Sequence, residues 1–248
     1  MKTRWNIFEP LLRMVFPRVC EICTEREAGP ADSFICELCR KHPRAIKRVR
    51  PPICKICGLW YEGAITNEFE CRNCFDLELE FKSAQAAVQY AGLVKEVIHR
   101  FKYGRNEWFE PFLAELLIEA AVPDLRLEPV DLIVPIPLHP RKRRGRGFNQ
   151  AERFAARLAI AAAIPFDANL MNRVRDTDSQ AGLDRDDRIA NVKNAFEYVG
   201  TEKLKNARVL LVDDVLTTGL TASSCAKELL KNGATEVRVW TVARGGLS

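Results

Sequence analysis

After residue 81 the apolar positions fall into two alternating rhythms. Val94, Val97, Ile98 and Phe101 share one helical face, which ends near Tyr103-Gly104. Phe109, Phe112, Leu113, Leu116 and Leu117 mark a second helix, and the alanine-rich stretch 149–163 a third. Between them lie short runs of strand length at 84–91, 130–135, 208–212 and 236–243. A helix over 219–232, closed by Gly233, separates the last two runs. Strands alternating with helices predict an α/β fold built on a doubly wound, mostly parallel sheet. Near the N-terminus Phe8, Leu11, Leu12, Val15 and Phe16 also recur at helical spacing, which predicts a short amphipathic helix packed on its own protein.

Composition bounds this picture. The chain has 248 residues, enough for a medium domain and a small one, and the change in composition near residue 82 divides it into 1–82 and 83–248. Hydrophobic residues make up 47% and charged residues 29%, so a buried core is expected. The net charge of +5 is too mild to argue for nucleic acid by itself. No apolar run is long enough to cross a bilayer, and the N-terminal segment lacks the pattern of a secretory signal. A cytoplasmic protein without membrane insertion is expected.

Eight of the nine cysteines form four Cys-x-x-Cys pairs: Cys20/Cys23, Cys36/Cys39, Cys54/Cys57 and Cys71/Cys74. Twelve residues separate the first two pairs and thirteen the last two, so the head is an internal repeat. Each copy supplies four thiolates, which suits two structural zinc ions. A redox dithiol uses one such pair beside a βαβ unit, a pattern unlike four pairs in tandem. Sequential pairing is expected, and a cross-braced arrangement, with the first and third pairs sharing a metal, is the alternative. Four thiolates leave no open position on the metal, so the expected role is structural. Cys225 stands alone and reads as a small buried apolar residue. Between the two copies, residues 40–50 form a basic run. Its default reading is a solvated linker, and contact with single-stranded DNA is the functional alternative. Trp60 and Tyr61 could stack on bases or cover a small core.

The chemistry concentrates at 209–221, Val-Leu-Leu-Val-Asp213-Asp214-Val-Leu-Thr217-Thr218-Gly219-Leu220-Thr221. An apolar strand runs into two carboxylates and then a hydroxyl-rich turn that opens a helix. Ligands bind at that place in open α/β sheets. Carboxylates accept hydrogen bonds from a diol, and N–H groups at a helix start hold a phosphate. A helix cap alone needs one such residue, and this stretch has five. A receiver domain would need further strands, but only 34 residues follow Asp214. No Gly-rich loop ends in Gly-Lys-Ser/Thr, which excludes a Walker site.

Two more elements accompany this motif. Residues 138–150 read as a basic loop, with Arg141, Lys142, Arg143, Arg144 and Arg146 around Gly145 and Gly147. Such a loop at a strand's carboxyl end suits a diphosphate. Residues 172–194, which include Arg173 and Gln180, are polar and read either as an active-site lid or as a connector.

The acidic motif resembles the 5-phosphoribosyl 1-diphosphate (PRPP) motif of type I phosphoribosyltransferases. The wider order is tandem Cys-x-x-Cys pairs, Phe101-Lys102-Tyr103-Gly104-Arg105, Val134-Pro135-Ile136-Pro137, Arg143-Arg144-Gly145, Gly147-Phe148-Asn149-Gln150, Arg173, Gln180, Asn194-Ala195-Phe196 and the acidic pair. This order is similar to the ComF/GntX family, a double zinc ribbon fused to a type I phosphoribosyltransferase fold with its hood. The resemblance runs from Cys20 to Arg244 and implies a link to competence and DNA uptake. It implies that Asp213 and Asp214 hold the ribose, that Thr217, Thr218, Gly219, Leu220 and Thr221 hold the 5′-phosphate, and that Arg141, Arg143, Arg144 and Arg173 meet the diphosphate. Mg²⁺ would accompany PRPP, with Asp214 helping to place it.

The implied reaction transfers phosphoribosyl to an unidentified nitrogen acceptor such as a nucleobase, held by the hood at 81–105 and by the last strand. A non-catalytic PRPP-binding protein that handles single-stranded DNA through its head is the alternative. Leu220 departs from the wider pattern, in which that position is small. Its side chain must point away from the phosphate.

Overall fold

The computed structural model describes residues 18–42, 45–63, 69–176 and 194–246. The N-terminal helix expected on 8–16 and residues 177–193 of the expected lid lie outside these residues.

The head contains two copies of one unit. In each, the third cysteine of the copy directly precedes a short helix: Cys36 before α1 (Glu37–Lys41) and Cys71 before α2 (Arg72–Asp76). In each, the amide of that cysteine also donates to the sulfur of the first, Cys36 N to Cys20 Sγ and Cys71 N to Cys54 Sγ, both at 3.3 Å. The repeat seen in the spacing is therefore a repeat of backbone geometry.

The remaining elements run β1 (Ser83–Gln89), α3 (Gly92–Tyr103), α4 (Glu110–Leu127), β2 (Leu132–Pro135), α5 (Pro140–Arg146), α6 (Gln150–Ala162), β3 (Met171–Arg173), β4 (Phe196–Tyr198), β5 (Arg208–Leu216), α7 (Leu220–Lys231) and β6 (Glu236–Arg244). β1, β6, β5 and β2 form a parallel sheet in that order, and β3 pairs antiparallel with β4. Both faces of the sheet are covered, as a parallel sheet requires. Leu210 and Val212 of β5 pack with α3, α4 and α6 on one face. Val209 and Leu211 pack with α7, Met171 and Phe196 on the other.

Two expectations need correction. Residues 138–150 are not an open loop, since α5 occupies 140–146. Pro140 at its first turn fixes a helical φ, and its Arg and Lys residues are good helix formers. His139 caps it by accepting from the Arg141 amide, and Gly147 ends it in the left-handed region at φ 87°. The basic run is not simply solvated either. Val49 donates to Ala87 and Gln89 to Lys47, so residues 47–49 lie along the edge of β1. Arg40 and Arg48 pair with Glu115 and Glu119 of α4.

Candidate functional site

β5 continues past the expected 208–212 to Leu216 because Asp213, Val215 and Leu216 keep their register with Thr241, Ala243 and Arg244 of β6. Successive strand residues point to opposite faces, so the acid pair divides. Asp213 lies on the α7 face and Asp214 on the α3 face. Asp214 is only 7% exposed, and its Oδ1 accepts from Lys102 Nζ at 2.7 Å. Burial would lower the Lys102 amine, but the charge and hydrogen bond of Asp214 hold it above its ordinary value. Burial and the Asp214 charge push Asp213 up to about 7, against the opposing pull of Lys102 and Arg173.

The hydroxyl turn follows at once. Thr217 is exposed, Thr218 and Gly219 are buried, and α7 starts at Leu220. Gly219 has φ 87°, and a methyl group there would lie 3.2 Å from Phe81 Cζ and 3.4 Å from Leu79 Cδ1. The left-handed backbone is what favours glycine here, and a methyl group would also press on both side chains. Leu220 is 8% exposed and packs on Leu77 and Leu79. The departure at this position thus serves as an anchor onto the head.

Cations gather around the acid pair. Arg173, on β3, lies over the Phe196 ring at 5.3 Å; burial lowers its pKa, and Asp213 and Asp176 act against that. Arg146 stacks on Tyr103 at 4.9 Å and donates to its hydroxyl and to Gln150 Oε1 at 3.1 Å. Gln150 is buried, and its Nε2 has no acceptor among the described residues. The expected diphosphate residues sit farther out on α5. Arg141 and Lys142 pair with Asp176, Arg143 pairs with Glu152, and Arg144 is exposed.

Lys102 was quoted in a motif without a role from sequence, and Arg146 counted only as one of the five cations of 138–150. Periodicity marks the apolar face of α3 and says nothing of what a lysine on it meets 112 residues later. An unbroken helical reading of 140–146 would have singled out Arg146 as its last residue. Gln180, the other expected lid residue, lies outside the described residues. Cys225 is buried, and burial pushes its thiol well up, as its apolar reading expects.

The head gathers its cysteines sequentially: Cys20, Cys23, Cys36 and Cys39 in one cluster, and Cys54, Cys57, Cys71 and Cys74 in the other, with the four sulfurs of each within 4.8 Å of one another. A tetrahedral zinc site with Zn–S near 2.3 Å requires sulfurs about 3.8 Å apart. Cys23–Cys36 at 3.9 Å, Cys54–Cys74 at 3.8 Å and Cys57–Cys71 at 3.5 Å fit that requirement. Among the described residues, no helix is long and apolar enough to cross a membrane.

Residues 147–247 match the family described as phosphoribosyl transferase domain. The chain is 34% identical to competence protein F of Haemophilus influenzae over 86% of its own length and 92% of that protein's. It is 30% identical to the DNA utilization protein YhgH of Escherichia coli K12, over 93% of this chain and 99% of that one. With competence protein ComFC of Streptococcus pneumoniae it shares 27% identity over 77% of this chain and 87% of the relative. A parallel sheet with a phosphoribosyl transferase domain, preceded by two four-cysteine clusters and matched along nearly its whole length by competence protein F, places this chain in the ComF/GntX family.

Proposed function

We propose that the chain binds PRPP with Mg²⁺ and transfers its phosphoribosyl group to a nitrogen acceptor. The observation that carries this reading is the position of Asp213 and Asp214 near the carboxyl end of a central strand, two residues before the glycine-centred hydroxyl turn that opens a twelve-residue helix. In this reading Asp213 and Asp214 accept from the ribose hydroxyls. Thr217, Thr218, Gly219, Leu220 through its backbone, and Thr221 hold the 5′-phosphate at the helix start. Lys102, Arg146 and Arg173 face the diphosphate, with Gln150 Nε2 as a further donor. Arg141, Arg143 and Arg144 join only by exchanging Asp176 and Glu152 for the ligand.

The reaction breaks the bond from C1 of the ribose to the diphosphate oxygen and forms one from C1 to the acceptor nitrogen. Diphosphate departs with the bonding pair, and the acceptor releases a proton. Negative charge grows on the leaving group, where fixed cations in a partly buried site stabilise it most. Mg²⁺, held by Asp214 together with the ligand's own oxygens, would neutralise part of that charge. The acceptor is a nitrogen base such as a nucleobase, met between the hood at 81–105 and β6. Incubation with PRPP, Mg²⁺ and a panel of purine and pyrimidine bases tests transfer: base-dependent diphosphate release is expected, and its absence with every base counts against catalysis.

Two structural zinc ions complete the head in this account, because four thiolates close the coordination shell. The division at 82/83 then separates a metal-held head from the phosphoribosyl transferase part.

The names of the relatives, for competence and for DNA utilization, favour a second activity, the handling of single-stranded DNA. Lys47 and Arg50 are exposed on the head, and Tyr61 is 52% exposed beside Phe69. Exposed cations and an exposed ring on the same head suit a single strand. A PRPP-binding protein without catalysis would use the same surface.

A further inference from the structure

Arg244 ends β6 and is fully buried. Its guanidinium lies between two sites. On one side Nε donates to the Cys57 carbonyl at 2.9 Å, and Nη2 lies 3.2 Å from Cys57 Sγ. On the other, Nη1 faces the carbonyls of Leu216 at 3.1 Å, Gly245 at 2.6 Å and Thr217. Among the described residues it pairs with no carboxylate. A buried guanidinium needs a compensating charge. The cluster of Cys54, Cys57, Cys71 and Cys74 supplies one when occupied, since four thiolates around a dication carry two net negative charges.

The same half of the head holds the turn at two further points. Asn73, one residue before the ligand Cys74, donates Nδ2 to the Thr218 carbonyl at 3.1 Å. Leu77, just past α2, packs on Leu220. The second cluster therefore supports residues 216–220 from behind, through Arg244, Asn73 and Leu77. No hydrogen bond joins the first cluster to this turn among the described residues.

We infer that Arg244 is a positioning residue that links metal occupancy of the second cluster to the seating of the phosphate turn. The inference rests on the reading of residues 217–221 as a 5′-phosphate site. Linkage is reciprocal, so a ligand on the turn must strengthen metal retention at the second cluster and leave the first unchanged.

The test uses the full zinc-loaded chain. Calorimetry first measures PRPP binding with Mg²⁺. A zinc-selective chelator is then titrated with and without PRPP and Mg²⁺, and alkylated cysteines are mapped by mass spectrometry, which separates the two clusters. With PRPP, alkylation of Cys54, Cys57, Cys71 and Cys74 is expected to need at least about fivefold more chelator, the low end of coupling between linked sites. Alkylation of Cys20, Cys23, Cys36 and Cys39 is expected not to move. Arg244→Met abolishes the difference, and Arg244→Lys, which keeps the charge without the fork, retains part of it. Arg238→Met, which empties an equally buried arginine site at the other end of β6, retains all of it. Should Arg244→Met fail to fold, Asn73→Ala is expected to reduce the difference. PRPP binding with no shift, with equal shifts at both clusters, or with a full shift in Arg244→Met or Asn73→Ala overturns the link alone. Absence of PRPP binding overturns the phosphate reading and the link with it.

Discussion

Lys102 Nζ on α3 and Asp214 Oδ1 on β5 lie 2.7 Å apart, and both side chains are largely buried. This pair ties the hood helix to the acidic end of the central strand. A buried pair is costly to break from one side, at roughly 3–5 kcal/mol, because the remaining charge is left alone. Lys102→Met is therefore expected to destabilise the fold by about that amount in chemical denaturation. Lys102→Met combined with Asp214→Leu is expected to regain most of the stability while PRPP binding stays lost. A double variant no more stable than the single would show that the pair does not act as a unit.

Asp213 makes a pH prediction. Its carboxyl is raised to about 7, whereas in the unfolded chain it titrates near 4. The folded protein therefore holds a proton that the unfolded chain has released across that window. Its contribution favours folding in the acid part of the window and is lost as the pH rises through 7. Ribose hydroxyls donate to the carboxylate, so PRPP binding is expected to lower this pKa and expel a proton. At about pH 6.5 up to about one proton should leave per ligand bound, read by calorimetry in two buffers of different ionisation enthalpy. Asp213→Asn should abolish the release, and an unchanged release in that variant would locate the proton elsewhere.

Gly219→Ala places a methyl group against Phe81 and Leu79 in a left-handed backbone. The strain alone is worth roughly 1–2 kcal/mol, so PRPP affinity is expected to fall about tenfold or more. The two zinc ions should remain. Unchanged affinity would mean that the turn does not carry the phosphate.

How much of this was legible in the sequence follows from what each signal reports. β5 and α7 were readable because a continuous apolar run ends in two acids and a glycine turn. α5 was not, because a helix charged on every side has no apolar period. Sequential pairing of the clusters was the expected arrangement and is the one found, although nearly equal spacing in the two copies also permits cross-bracing. Lys102–Asp214 and Arg244–Cys57 join residues far apart in the chain, and only the fold brings them together. Leu220 stood out from sequence as a misfit, and its packing on Leu77 gives it a use.

Sequential clusters predict how metal is lost. The full chain should bind two zinc ions, as counted by native mass spectrometry. Cys23→Ser is expected to release one and leave Cys54, Cys57, Cys71 and Cys74 protected from alkylation. Exposure of cysteines in both clusters would indicate that the head unfolds as one piece.

The central claim is that the acid pair and the hydroxyl turn form a PRPP site. Calorimetric titration of the full chain with PRPP and Mg²⁺, beside the Asp213→Asn/Asp214→Asn variant, tests it most directly. The account predicts one ligand per native chain and no measurable heat of binding in the variant. An absence of binding to the native protein, or equal binding by the two, would contradict it.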